Sequence, residues 1–206
     1  MPVIGITGGI ATGKSALSDA LRALLPQATF FDADQSSRDL SEHDPEVRGL
    51  IAAVFGGEIY SAEGHLNRAA LRTIVFADPG KKQALEQILH PRIRRQWAVQ
   101  AESRRDSTEL FLADIPLLYE TGGETLCDRV VVVACSQRIQ LQRLMARSSL
   151  SQAEAQLIIA AQMPLAEKIA RADHVIWNNG TREILAAQAA TLAASWCRGL
   201  NTPVRA

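Results

Sequence analysis

Aromatic residues are scarce in this chain: Phe, Trp and Tyr make up 5% of its residues, whereas hydrophobic residues make up 47%. Any core must therefore be built from Val, Ile, Leu and Ala. Cysteine is scarcer still. Cys127, Cys135 and Cys197 are odd in number, widely spaced and form no C-x-x-C pair. That excludes a zinc ribbon or a disulfide framework and predicts ordinary core or surface residues in a reduced, cytoplasmic protein. His43, His65, His90 and His174 show no ligand spacing with one another or with cysteine, so no metal site is built on them. Charge of one sign is missing too. The 22 basic and 22 acidic residues balance, which leaves no global field to draw nucleic acid or an anionic membrane. An anionic ligand must be recruited by local groups. No apolar run approaches the ~18 residues of a membrane span. The start, Met1-Pro2-Val3-Ile4-Gly5, has no basic n-region and no long apolar h-region, so no signal peptide is predicted. Internal repeats and low-complexity tracts are absent.

What the chain does contain is a series of short, continuous apolar runs. Residues 2–7 form the first. Residues 28–31 run into Asp32, and residues 110–113 run into Asp114. Residues 130–134 and 174–177 are the fourth and fifth. Runs that do not alternate with polar residues suit strands covered on both faces, and helical stretches separate most of them. The expected fold is α/β, with a five-stranded parallel sheet in a three-layer sandwich. Between Asp32 and Leu110 no convincing strand occurs. Residues 47–55, 68–76 and 81–105 read as helices, with Pro91 starting or kinking a turn. That is too much chain for one crossover, so a helical lobe is expected. A second helical excursion spans residues 147–168, and the tail from Asn201 onward reads as frayed.

The first apolar run ends in Gly8-Gly9-Ile10-Ala11-Thr12-Gly13-Lys14-Ser15, a complete G-x-x-x-x-G-K-S string. Leu17, Leu21, Leu24 and Leu25 follow at helical spacing until Pro26. Strand, glycine loop and amphipathic helix are the context in which this string binds phosphate. Glycines let the backbone wrap a phosphate chain, and N–H groups at the helix start supply donors and a favourable dipole. Lys14 reaches the β- and γ-phosphates, and the Ser15 hydroxyl can ligate Mg²⁺. The loop residues Gly9 to Ser15 are thus the expected nucleotide cradle.

Asp32 and Asp114 close the second and third strands, and the carboxyl ends of parallel strands face the ligand crevice. Each can position Mg²⁺, or orient and deprotonate an attacking hydroxyl. Either can instead cap the helix that follows. Asp34 stands two residues further on. Arg143 and Arg147 share a helical face just before the second excursion, where a P-loop kinase keeps its lid, and can stabilise the oxygens of a transferring phosphoryl group. Arg92, Arg94, Arg95, Arg104 and Arg105 cluster in the helical lobe, with Arg92 and Arg95 on one face. His90, before Pro91, can bind substrate or make a structural hydrogen bond. A GTPase switch would need D-x-x-G and N-K-x-D, and a dinucleotide-binding protein would need G-x-G-x-x-G; none occurs.

Several segments together resemble the dephospho-CoA kinase family. The opening Gly5-Ile6-Thr7-Gly8 with its P-loop does so, as do Asp32-Ala33-Asp34 followed by Arg38, and His90-Pro91-Arg92-Ile93-Arg94. Asp114-Ile115-Pro116-Leu117-Leu118-Tyr119-Glu120 and Gln142-Arg143-Leu144-Met145-Ala146-Arg147 are similar to that family's later motifs. So are Ala161-Gln162-Met163-Pro164 with Lys168, and Ala172-Asp173-His174-Val175-Ile176. The resemblance runs in order from about residue 3 to 180. Two departures stand out. Trp177 precedes Asn178 where the family usually has an acidic residue, and Ala11-Thr12 replaces its commoner loop residues.

The resemblance implies transfer of the ATP γ-phosphoryl group to the ribose 3′-hydroxyl of dephospho-CoA, with Mg²⁺, as the last step of coenzyme A synthesis. The alternative is another P-loop small-molecule or nucleoside monophosphate kinase. Three parts are implied. The nucleotide-binding core comprises residues 1–40, 106–146 and 169–206, the dephospho-CoA-binding domain residues 41–105, and the lid residues 147–168. Asp32 would be the base for the 3′-hydroxyl, with Lys14, Arg143 and Arg147 on the phosphates. Thr7, His90, Arg94 and Leu117 would lie on the substrate side with Asp32. Asn178 would serve the nucleotide, and Ser15 and Asp114 the metal. Dephospho-CoA is the expected partner, with no nucleic acid and no membrane, for a monomer or weak homo-oligomer.

Overall fold

Every apolar run of the sequence becomes a strand in a computed structural model of the chain, which describes residues 2–104, 107, 109–148 and 150–200. The strands are β1 (Val3–Gly8), β2 (Thr29–Asp32), β3 (Phe111–Asp114), β4 (Arg129–Ala134) and β5 (His174–Trp177). They lie in the order β2-β3-β1-β4-β5. β1 runs parallel to β3, with Ile6 opposite Asp114, and to β4, with Gly8 opposite Val133. β4 runs parallel to β5, with Val133 opposite Ile176. At the far side of β3, the Thr29 N–H donates to the Leu110 carbonyl at 2.9 Å. Phe111, Leu112 and Ala113 are fully buried, as are Val131, Val132 and Val133. Their unbroken burial is the reason these segments carry no polar alternation.

The helices are α1 (Lys14–Leu24), α2 (Ala33–His43), α3 (Pro45–Phe55), α4 (Arg68–Ala77) and α5 (Pro79–Glu102). They are followed by α6 (Gln137–Ser148), α7 (Gln152–Ala160), α8 (Leu165–Ala170) and α9 (Arg182–Leu200). Two compact units result. One contains the described residues of Met1–Phe31 and Ala101–Ala206, the other Asp32–Gln100.

In the sheet-containing unit, Leu17 and Leu21 of α1 pack with Ile4 and Ile6 of β1, Val131 and Val133 of β4, and Ile176 of β5. Leu185, Ala189 and Leu192 of α9 join the same core. Fully burying one such Leu or Ile is worth about 1.5–3 kcal/mol, so this layer fixes where β1 ends and α1 begins. α1 stops before Pro26, where the Leu25 N–H makes a last bond to the Leu21 carbonyl at 2.9 Å.

The second unit is helical throughout except for one isolated antiparallel bridge, Tyr60 to Leu66, and a short 3-10 turn, Gly57–Ile59. Each helix start is marked by a side-chain acceptor. Asp32 accepts from the Gln35 N–H, Asp44 from the Val47 N–H and Asn67 from the Ala70 N–H. Asp78 accepts from the N–H groups of Gly80 and Lys81. Such caps satisfy donors that the helix itself cannot. Leu40, Val47, Ile51, Phe55, Leu71, Ile88 and Leu89 form the core of this unit.

Pro91 does not begin a helix; it lies inside the continuous α5. Its ring removes the N–H that would serve the carbonyl four residues earlier. The carbonyl affected is that of Gln87; the next one, of Ile88, accepts from the Arg92 guanidinium at 2.9 Å. The helical excursion over residues 147–168 takes in the end of α6, all of α7 and the start of α8. α7 opens on a capping box between Ser151 and Glu154, and Pro164 separates it from α8. Arg105 and the tail from Asn201 onward lie outside the described residues.

Two of the three cysteines are withdrawn from chemistry. Burial, reinforced by Asp128 and Glu124, pushes the Cys127 thiol up to about 12. Burial raises Cys135 as well, against the opposing influence of Arg143. A raised thiol pKa keeps both protonated and unreactive at neutral pH. Cys197 is exposed on α9. Alkylation of the native protein at pH 7.5 (roughly one unit below an ordinary thiol) should therefore modify Cys197 alone, as read by peptide mass spectrometry. Comparable labelling of Cys127 would contradict this burial.

Candidate nucleotide-binding site

The loop between β1 and α1 is shaped by close backbone contacts. A Cβ on Gly8 would lie 2.5 Å from the Val133 carbonyl oxygen, so no larger residue fits there. Gly13 is the N-cap of α1 with φ 98°, and a Cβ on it would overlap the side-chain amide of Asn178. Between them, Gly9 to Thr12 make a tight turn. The Thr12 N–H and hydroxyl both donate to the Gly9 carbonyl, at 3.3 and 2.8 Å. Ala11 sits in the left-handed region at φ 60°, a conformation that costs a non-glycine residue roughly 1–2 kcal/mol. Gly13 brings no side-chain acceptor to the first turn of α1. The N–H groups there are left for an external acceptor, and the helix dipole favours an anionic one.

Lys14 and Ser15 open α1. The Lys14 ammonium is paired with Asp114 Oδ1, and Ser15 is exposed. Asp114 is buried at the end of β3, and its other oxygen accepts from the Ser18 hydroxyl at 2.6 Å. The parallel register of β1 and β3 is what brings this carboxylate beside the loop. Thr7, on β1, is fully buried and donates its hydroxyl to the Pro116 carbonyl at 3.0 Å. Leu117 is half-buried, and its carbonyl accepts from the Thr121 hydroxyl at 2.8 Å.

On α6, Arg143 donates to the Thr12 carbonyl at 3.3 Å, and Arg147 is exposed in the last turn. Asn178, just past β5, is buried and donates to that same carbonyl at 2.9 Å. Thus Thr7, Gly9 to Ser15, Asp114, Leu117, Arg143, Arg147 and Asn178 all belong to the sheet-containing unit. Asp32, His90 and Arg94 belong to the other. Asp32 Oδ1 caps α2 through the Gln35 N–H at 2.9 Å. His90 and Arg94 are half-buried one turn apart on α5. Of the remaining lobe arginines, Arg92 is paired with Glu46 and Arg95 is exposed.

Three side chains at the loop carried no assigned role in the sequence reading. Gln140 is buried and its Nε2 donates to the Ile10 carbonyl at 2.9 Å. Gln162 accepts from the Ile10 N–H at 2.8 Å. Lys168 is 0% exposed; its ammonium meets Glu120 at 2.7 Å and the carbonyls of Pro116 and Gly8 at 3.3 and 3.4 Å. Gln140 has no sequence signature, whereas Gln162 and Lys168 stand in a segment that resembles the family but carried no role there.

Among the described residues no group of three or more His, Cys, Asp and Glu could hold a metal by itself. The oxygens of Ser15 and Asp114 are nonetheless hard donors, and Mg²⁺ is commonly held by one or two protein oxygens together with substrate phosphates. The donor set fits that ion.

A family model described as dephospho-CoA kinase matches residues 2–183. The chain is 46% identical over 197 residues to the dephospho-CoA kinase of Anaeromyxobacter dehalogenans, covering 94% of this chain and 92% of that one. To the dephospho-CoA kinase of Geobacillus kaustophilus it is 41% identical, covering 94% and 96%. The solved dephospho-CoA kinase of Campylobacter jejuni shares the fold, with a TM-score of 0.73 at 24% identity over 96% of this chain and 98% of that one. A phosphate loop of this geometry, embedded in a match that spans both structural units, has one reading: the chain belongs to the dephospho-CoA kinase family.

Proposed function

We propose that this chain transfers the γ-phosphoryl group of ATP to the 3′-hydroxyl of the ribose of dephospho-CoA, giving CoA and ADP. The observation that carries this reading is the extent of the family match. It includes the helical unit Asp32–Gln100 as well as the phosphate loop, and an acceptor lobe is where P-loop kinases with a shared core differ.

The geometry supports a division of labour. Lys14, held against Asp114, is placed at the loop and exchanges that partner for the β- and γ-phosphates. Ser15 and Asp114 would hold Mg²⁺, which supplies charge neutralisation on the phosphates when bound. Arg143 and Arg147 stabilise the oxygens of the transferring phosphoryl group. Asn178 serves the nucleotide through the loop it touches. Asp32 accepts the proton of the 3′-hydroxyl, and Thr7, His90, Arg94 and Leu117 shape the acceptor side. We assign residues 1–40, 106–146 and 169–206 to the nucleotide-binding core, residues 41–105 to the acceptor domain and residues 147–168 to a lid. Closure of that lid keeps water from the γ-phosphate, which hydrolysis would otherwise waste. The contact between Gln162 of this segment and the Ile10 N–H supports a lid that reaches the phosphate loop.

We take the enzyme to be cytoplasmic, a monomer or weak homo-oligomer, and the balanced charge fits the expectation of no nucleic-acid or membrane partner. No helix among the described residues is long and apolar enough to cross a membrane. ADP release measured against a panel of acceptors tests the reading. Dephospho-CoA should be preferred over AMP, adenosine and shikimate by orders of magnitude in kcat/KM. Preference for a nucleoside monophosphate would assign the chain to another P-loop kinase activity.

A further inference from the structure

The carbonyl groups of the phosphate loop are gripped at every second residue by a side chain from elsewhere in the unit. The Gly8 carbonyl faces Lys168 Nζ at 3.4 Å, the Ile10 carbonyl accepts from Gln140 at 2.9 Å, and the Thr12 carbonyl accepts from Asn178 at 2.9 Å. A trans peptide is planar, with its C=O and N–H pointing in opposite directions. Holding the carbonyls of residues 8, 10 and 12 therefore turns the N–H groups of Gly9, Ala11 and Gly13 the other way. The intervening peptide is fixed in the opposite sense: the Gly9 carbonyl turns in to Thr12, and the Ile10 N–H turns out to Gln162.

Glycine-rich backbone has no such preference of its own, because residues without a Cβ populate both signs of φ. The anchoring side chains are themselves immobilised. Lys168, Gln140 and Asn178 are 0%, 4% and 7% exposed. Lys168 is further held by Glu120 and the Pro116 carbonyl. They reach the loop from three separate places in the chain: α8, α6 and the residue after β5.

We propose that Lys168, Gln140 and Asn178 are positioning residues that preset the N–H groups of the phosphate loop, acting on the nucleotide through the loop's carbonyls. The inference deepens the nucleotide half of the proposed function and rests on the loop binding a polyphosphate, not on the identity of the acceptor. Preorganised donors bind and stabilise phosphate without the cost of ordering the loop at each turnover.

The test replaces a donor by an apolar side chain of similar size, in Gln140→Leu and Asn178→Leu. Binding of ATP and of inorganic tripolyphosphate, each with Mg²⁺, is measured by calorimetry beside thermal melting and steady-state kinetics. Each variant should weaken both ligands by the same factor, about tenfold or more, equivalent to ~1.4 kcal/mol. The KM for ATP should rise while that for dephospho-CoA stays within about twofold, well inside that tenfold margin. Should one variant melt too low to assay, the other carries the same expectation from a different element. Weakened ATP binding with unchanged tripolyphosphate binding would mean a contact to the base or ribose and would overturn the proposal, as would unchanged affinity for both. A protein that binds ATP and tripolyphosphate as expected yet ignores dephospho-CoA would overturn the acceptor assignment and leave this inference standing.

Discussion

Asp32→Asn should lower kcat by about 10²–10⁴, the range general-base catalysis supplies, and leave the affinity for ATP nearly unchanged. The choice of asparagine matters. Asp32 Oδ1 caps α2 by accepting from the Gln35 N–H, and asparagine is as good an N-cap as aspartate. The substitution therefore keeps the helix start and removes only the capacity to take a proton. Alanine would lose the cap as well, at about 1 kcal/mol, and would blur the two roles. Single-turnover phosphoryl transfer at saturating ATP and dephospho-CoA, with a melting curve on the same preparation, separates them. Near-normal turnover in Asp32→Asn would leave this residue as a cap and nothing more.

Lys14→Ala should reduce kcat/KM by about 10³ or more, since loss of a single donor to a developing oxyanion already costs about 10²–10³. Here the residue has a second consequence. Lys14 is the ion-pair partner of Asp114, a carboxylate in the buried end of β3 whose only other bond among the described residues is from Ser18. Removing one member of a buried pair typically costs about 3–5 kcal/mol, because the remaining charge is left uncompensated. The single variant should thus lose melting temperature together with activity. Adding Asp114→Asn removes the stranded charge, so the double variant should regain stability and stay inactive. If Lys14→Ala kept turnover within about tenfold, a loss of only ~1.4 kcal/mol in ΔΔG‡, its assignment to the phosphates would fail.

The parts of the fold that were legible in the sequence are those whose physics is local. Strand β4 is an unbroken Val130-Val131-Val132-Val133 run because both faces are covered. The loop announced itself through the spacing of Gly8, Gly13, Lys14 and Ser15; crowding against the Val133 carbonyl and the Asn178 side chain demands the two glycines. Helix α2 entered only as the helix that Asp32 could cap, and its extent was not legible. Its buried face is Ala33, Ser36, Leu40 and Ser41, a single leucine among small residues, which leaves no apolar stripe to read. Pro91 was read as starting or kinking a turn; the structure excludes the start, because the proline lies inside the continuous α5.

The site divides in the same way. Lys14 and Asp114 were readable from their positions at a helix start and a strand end. Gln140, Gln162 and Lys168 act across long sequence separations on backbone groups of the loop; the segment of Gln162 and Lys168 resembles the family, but nothing local shows which groups they hold. Asn178 was expected with the nucleotide; the structure places its amide on the Thr12 carbonyl.

The central claim is tested most directly by one measurement: ADP release from ATP in the presence and absence of dephospho-CoA, with CoA quantified in the same reaction. The account predicts ADP and CoA in equal amounts, and negligible ADP when dephospho-CoA is withheld. ADP released at the same rate without the acceptor, or no CoA formed with it, would contradict the account.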